Sequence, residues 1–288
     1  MVSRVTPTVL TIAGSDSGGG AGIQADLKAF ARCGVHGMSA ITAITAQNTV
    51  AVSAIHPVPP EIVLAQVRAV LSDIGVDAVK VGMLGTVEIT LAVAAALDEL
   101  EPGTPVVVDP VMVAESGAAL LAADAQRTLI EEILPRASVL TPNLPEARAL
   151  VGWLNTRVGA GTGAGGQDNE DEDVEAEALA RAVLALGPGA VVLTGGHRTR
   201  AVDLFVERAD GAAAVEIEGV RHPDGAAHGS GCTHSSVLAA QLALGHTPLE
   251  AARTARRLAA SAVGGGLREL GAGAGPVDIL ELERMRAY

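Results

Sequence analysis

Short runs rich in Val, Leu and Ile alternate along this chain with longer Ala- and Leu-rich stretches, and this alternation most constrains the fold. Val9–Ala13, His36–Thr45, Asp77–Met83, Pro105–Val108, Ser138–Leu140 and Ala190–Leu193 read as strands. Gly22–Arg32, Pro59–Ser72, Thr86–Leu100, Ala123–Leu134, Glu175–Leu186, Cys232–Leu244 and Pro248–Gly264 have the spacing of helices. Ala201–Val206 and Ala213–Ile217 read as a hairpin. Strands separated by helices need crossover connections, so the pattern predicts an α/β fold with a mainly parallel sheet covered on both faces. Sites in such folds gather at the carboxyl ends of strands. The loops after Ala13, Thr45, Met83, Asp109, Leu140 and Leu193 are therefore where chemistry is expected.

Aromatic residues are only 1% of the 288 residues while apolar residues reach 49%, so the core has to be built from Ala, Val, Leu and Ile. Residues 1–288 read as one domain with one interruption. Gly159–Gly166 is nearly all Gly, Ala and Thr, and Gln167–Asp173 is strongly acidic. Like charges beside a glycine run predict a mobile acidic loop over 157–173. The net charge of −13 argues against nucleic acid or an anionic membrane as partner. No stretch reaches 18 apolar residues and the N-terminus lacks a secretory apolar segment, so a cytoplasmic location is expected. Cys33 and Cys232 are the only cysteines, too few for a disulfide framework.

The segment richest in chemistry is His228-Gly229-Ser230-Gly231-Cys232-Thr233-His234-Ser235-Ser236. Glycines let backbone N–H groups close on an anion, and the helix start that follows adds free amides and a positive dipole end. A cysteine at that start is expected to ionise more easily than a free thiol. An anion cradle beside a reactive side chain suits phosphoryl transfer. His228 and His234, which flank it, read as structural rather than metal-binding.

Eight ordered segments make the reading sharper. They are Thr11–Lys28 with its Gly18-Gly19-Gly20 run, Thr45–Thr49, Gly82-Met83-Leu84, Val108–Ala114, Thr141–Ala147, Gly195-Gly196-His197, His228–Thr233 and Gly273–Val277. Together they resemble the hydroxymethylpyrimidine/phosphomethylpyrimidine kinases of thiamine biosynthesis, nearly end to end. The resemblance implies a ribokinase-like three-layer α/β/α fold with a central, mainly parallel sheet. It implies ATP and Mg²⁺ as cofactors, a small pyrimidine as substrate and a homodimer.

It also implies a site. Gly14, with the loop to Gly22, and Asp26 would line the pyrimidine pocket. Gln47 would read the ring, since one amide both donates and accepts, and Met83 would supply an adaptable apolar wall. Asn143 and Glu146 would hold Mg²⁺. Thr194, Gly195, Asp109 and Ser230 would face the nucleotide. Gly229 and Gly231 would form the anion hole, with Cys232 as the catalytic base.

The chain departs from the resemblance in places. Thr194 stands where these kinases usually have a lysine before Gly195, and Glu115 replaces another lysine. Arg198, Arg200 or Arg221 are candidates to restore positive charge. A pyridoxal kinase on the same scaffold, or a weakly catalytic or non-catalytic pyrimidine-binding relative, are the alternative readings.

Overall fold

The computed structural model describes residues 6–114, 117–118, 120–158, 169–197, 200–208 and 212–282. Among the described residues nine strands form one sheet in the order β3-β2-β1-β4-β5-β6-β7-β8-β9. The strands are β1 (Thr8–Asp16), β2 (His36–Gln47), β3 (Val52–Pro57), β4 (Ala78–Val81), β5 (Val106–Val108), β6 (Val139–Leu140), β7 (Ala190–Leu193), β8 (Val202–Glu207) and β9 (Val215–Glu218). β2, β1, β4, β5, β6 and β7 run parallel. β3 at one edge and β8 and β9 at the other are antiparallel.

The helices are α1 (Gly22–Arg32), α2 (Pro60–Asp73), α3 (Val87–Leu97), α4 (Ala123–Thr128), α5 (Leu144–Val158), α6 (Asn169–Leu184), α7 (Ser230–Ala243) and α8 (Pro248–Gly264). Alternate residues of each strand point to opposite faces, and the core divides accordingly. Leu10, Ile12, Val79, Val81, Val106, Val108 and Leu140 pack with residues of α2, α3, α5 and α6. Val9, Ala78, Val107, Val139 and Val192 pack with residues of α1, α7 and α8. The second face carries Ala239, Ala240, Ala251, Ala252 and Ala255, which let helices approach the sheet closely, together with Phe30 and Phe205.

Three expectations change. β3 was not foreseen: Val52–Pro57 is an exposed edge strand without an apolar run, and it pairs only with β2. The helix expected over Ala123–Leu134 is α-helical only to Thr128, then winds as a π-turn over Leu129–Ile133 and a 3₁₀ turn over Leu134–Arg136. Pro135 has no N–H with which to extend an α ladder. At the two ends of the acidic loop expected over 157–173, α5 runs to Val158 and α6 begins at Asn169. Acidic residues favour a helix N-terminus, and Asp173 also pairs with Arg200 at 2.8 Å. Residues 159–168 lie outside the described residues.

Candidate active site

The parallel strands end in loops that enclose a cavity of about 430 Å³, within the range of roughly 300–1,000 Å³ usual for small-molecule sites. Its walls come from the ends of β1 and β2, the segments after β4, β5, β6 and β7, the turn before α7, and α8. Of the residues assigned to the site by the resemblance, all but Asp26 line it: Gly14, Gln47, Met83, Asp109, Asn143, Glu146, Thr194, Gly195, Gly229, Ser230, Gly231 and Cys232.

One end of the cavity is made by the glycine loop and the end of β2. Ser17 Oγ donates to the Gln47 carbonyl (2.6 Å) and accepts from the Gln47 amide (2.8 Å), tying loop to strand. Thr45 Oγ1 donates to the Ser15 carbonyl at 2.8 Å and lies 3.2 Å from the Gln47 side-chain oxygen, within reach of the same hydrogen. The Gln47 amide group is thereby aimed. Met83 is buried, and its sulfur lies about 3.0 Å from where a Cβ on Gly14 would sit, so thioether and glycine are matched in size.

Asp26 corrects the sequence reading. It has no exposed surface and does not line the cavity. Its carboxylate lies 3.0 Å from Lys80 Nζ and accepts from Thr11 Oγ1 (2.6 Å) and Ser236 Oγ (2.7 Å). A buried carboxylate needs such partners, and Asp26 meets them beneath the site. Lys80, which sequence reasoning passed over, does line the cavity and is fully buried. Burial opposes its charge, but Asp26, Cys232 and Asp109 outweigh burial and hold the ammonium above its ordinary range. Asp109 Oδ2 lies 4.0 Å from Lys80 Nζ and accepts from Ser235 Oγ at 3.0 Å. Burial pushes the Asp109 carboxyl up, and Lys80 offsets this only in part.

Cys232 also corrects an expectation. It sits in the first turn of α7, yet its thiol is pushed up to about 12. Burial is the main cause, and Asp109 and Asp26 add to it, against Lys80 and a hydrogen bond from the Gly22 amide. The helix start supplies partial charge, whereas the carboxylates supply whole charges. The resting side chain is a thiol.

The turn before α7 is set by backbone. Gly229 has φ 81° and ψ 11°, and a Cβ there would lie 1.8 Å from the Gly20 carbonyl oxygen. Only glycine fits this left-handed, closely packed position. The Ser230 amide is already used by the Ala227 carbonyl at 3.0 Å. The amides of Gly231 and Cys232, in the first turn, have no carbonyl one helical turn back and are the donors this turn can offer an anion.

The far end of the cavity faces β7 and α8. Asn143 and Glu146 cap α5 reciprocally: the Asn143 amide donates to Glu146 Oε2 and the Glu146 amide donates to Asn143 Oδ1, both at 2.9 Å. Burial, with the nearby Asp109 charge, pushes the Glu146 carboxyl up to about 8. Thr194 accompanies Asn143 through a strand bridge. The Gly195 amide donates to Asp203 Oδ1 at 2.8 Å, and a Cβ on Gly195 would meet the Val202 carbonyl oxygen at 2.3 Å. Asp203 also lies 3.2 Å from His234 Nε2 and 3.6 Å from Arg256 Nε. Of the candidate replacement cations, Arg200 is engaged by Asp173 and Glu216 and does not line the cavity, whereas Arg221 does. Arg256, which the sequence did not single out, lines it too. Arg198 and Glu115 lie outside the described residues. Among the described residues no cluster of three or more His, Cys, Asp or Glu side chains could hold a metal unaided, and no helix is long and apolar enough to cross a membrane.

Known proteins share the sequence and the fold. The family described as phosphomethylpyrimidine kinase matches residues 16–278. The hydroxymethylpyrimidine/phosphomethylpyrimidine kinase of Rhizobium meliloti is 46% identical over 276 residues, covering 95% of this chain and 97% of the relative. A crystal structure of phosphomethylpyrimidine kinase from Clostridium difficile superposes with a TM-score of 0.71 at 38% identity, covering 87% of this chain and 96% of the other. Pyridoxal kinase from Staphylococcus aureus in complex with AMP-PCP superposes with a TM-score of 0.81 at 34% identity, covering 98% and 96%.

Proposed function

The chain belongs to the phosphomethylpyrimidine kinase family, and from that premise we propose that it phosphorylates 4-amino-5-hydroxymethyl-2-methylpyrimidine with ATP, and then the monophosphate, in thiamine biosynthesis. The observation that carries this reading is a single cavity lined by both Gln47 and the Gly229–Cys232 turn. The pyrimidine ring lies between Gln47 and Met83, its hydroxymethyl group toward Cys232. Thr194, Gly195, Asp109 and Ser230 face the nucleotide. Arg221 and Arg256 supply the positive charge that Thr194 does not.

Mg²⁺ fits this site. Glu146 is a half-buried carboxyl facing the Asp109 charge, an arrangement a cation relieves, and Mg²⁺ needs few protein ligands because it keeps much of its water. Asn143 and Glu146 would hold it, and bound there it would neutralise phosphate charge. The same reading includes a homodimer in the cytoplasm.

In the first reaction the hydroxyl oxygen attacks the γ-phosphorus, the bond to the β-phosphate oxygen breaks, and ADP leaves with the electron pair. The amides of Gly231 and Cys232 stabilise charge on the group in transit. The hydroxyl proton passes to Cys232 as thiolate. Burial raises the resting thiol, so its proton leaves to solvent as the substrate binds, and Lys80 is the cation that favours the thiolate. In the second reaction the nucleophile is a phosphate, already largely ionised with a second pKa of about 6, and needs no such base.

Cys232→Ala tests the assignment in a coupled ADP-release assay. It should lose about 10²-fold or more in the first reaction and much less in the second. Equal losses exclude the base role. Pyridoxal used in preference to the pyrimidine would favour the pyridoxal kinase reading, and pyrimidine binding without ADP release would favour a non-catalytic binder.

A further inference from the structure

Asp16 ends β1, and His228 precedes α7, 212 residues later. Their side chains meet inside the molecule, only 2% and 8% exposed, with His228 Nε2 3.0 Å from Asp16 Oδ2. A carboxylate oxygen accepts, so the ring nitrogen carries the hydrogen. The Asp16 carboxylate also gathers the glycine loop. It accepts from the Gly18 amide at 2.7 Å, the Gly20 amide at 3.0 Å and the Ala21 amide at 2.8 Å. Burial works against its charge, and His228 with the Ala21 and Gly18 amides holds it below the ordinary carboxylate range. His228 is anchored from the other side. Its amide donates to the Gly275 carbonyl at 3.2 Å, and its carbonyl accepts from the Val277 amide at 3.1 Å.

The fit leaves no slack. A Cβ on Gly20 would lie 2.2 Å from His228 Cδ2, and Gly229 packs just as closely on the Gly20 carbonyl. The loop that Asp16 gathers lines the acceptor end of the cavity, and the turn that follows His228 lines the phosphoryl end. Each end is built by its own backbone. This pair is the side-chain link between them, beside the Gly22 amide's hydrogen bond to Cys232 and the Gly20–Gly229 backbone packing.

We propose that Asp16 and His228 form a positioning clasp that sets the distance between the acceptor pocket and the anion-binding turn. The inference rests on the proposed kinase reaction for its kinetic consequence but not for its structural one. Reacting atoms must be held at about 3–3.5 Å, and a misplacement of about 1 Å costs about 10²-fold. Each substrate would still bind its own end without the clasp, so the loss belongs in kcat. A staple that served folding alone would lower the melting temperature and leave the turnover of folded enzyme unchanged.

His228→Ala, His228→Gln and Gly20→Ala test this. Gln can return an N–H to the place of Nε2. Gly20→Ala displaces the ring from the loop side, at a backbone position outside the left-handed region. The measurements are kcat, KM for each substrate, and hydrogen exchange of peptides covering residues 14–22 in the unliganded protein. His228→Ala and Gly20→Ala should lower kcat about 30- to 100-fold, with KM for ATP within threefold, and should speed exchange at 14–22. His228→Gln should recover most of both. The proposal is overturned if kcat of folded His228→Ala and Gly20→Ala stays within threefold, if the loss lies wholly in KM, if Gln rescues nothing, or if exchange at 14–22 is unchanged. Should His228→Ala not fold, Gly20→Ala and His228→Gln decide. If the wild-type protein phosphorylates neither pyrimidine, the kinase reading fails, and the exchange comparison alone decides the clasp.

Discussion

Replacing Lys80 by Met removes the ammonium from a site where nothing can take its place. Lys80 and Asp26 are both fully buried and 3.0 Å apart. At an effective dielectric of about 20 their attraction is about 5 kcal/mol, and breaking a buried pair by removing one partner costs about 3–5 kcal/mol. Asp26 keeps its hydrogen bonds from Thr11 and Ser236, which hold the cost toward the lower part of that range. In a chain of this size each kcal/mol moves the melting temperature by roughly 2–4 °C, so Lys80→Met should melt roughly 10 °C below wild type. Asp109, 4.0 Å away, loses its nearest cation as well, and kcat should fall with it. The assay is thermal and urea unfolding of four proteins: wild type, Lys80→Met, Asp26→Asn and the double variant. Removing the stranded charge should return part of the stability, so the double variant should be more stable than Lys80→Met. A Lys80→Met cost below about 1 kcal/mol, or a double variant less stable than Lys80→Met, would refute the argument that the pair is a neutralised buried charge.

Cys232 should react with iodoacetamide very slowly at neutral pH. Its folded-state value is raised from 9.0 to about 12, so the protonated form persists as pH rises. Reactivity resolved by peptide mass spectrometry should climb about tenfold per unit through pH 9–11 without levelling, and a plateau near pH 9 would show an unperturbed thiol. Thr194→Lys should lower KM for ATP several-fold, since it adds a cation to a cavity wall beside Asn143; an unchanged KM would mean that Arg221 and Arg256 already suffice. Gly229→Ala should give little folded protein, because the left-handed backbone costs roughly 1–2 kcal/mol before the clash with the Gly20 carbonyl is counted. Wild-type melting in that variant would contradict the packing at the turn.

The sheet was readable because Val- and Leu-rich strands keep a two-residue alternation between two helix layers. β3 was not, because an exposed edge strand carries no buried face to mark it. The thiol of Cys232 shows a different limit. Its place at a helix start follows from local sequence, but its ionisation is set first by burial and then by Lys80 on β4, Asp109 after β5 and Asp26 on α1, which only the fold brings about. Asp16 and His228 were hidden for the same reason. Lys80 and Asp26 were less hidden than they looked. Lys80 stands inside Ala78–Val81, an otherwise apolar strand buried on every side. Asp26 stands three residues after Ile23 and four before Phe30, on the buried face of α1. A charge in either place is unstable alone. The chain has only two lysines, and the other, Lys28, donates to the Gly19 carbonyl on the loop. Two opposite charges, each stranded in a stretch that must be buried, require each other as partners. The fold pairs Lys80 with Asp26 and puts a cation beneath the carboxyl ends of β1 and β4, where the cavity lies.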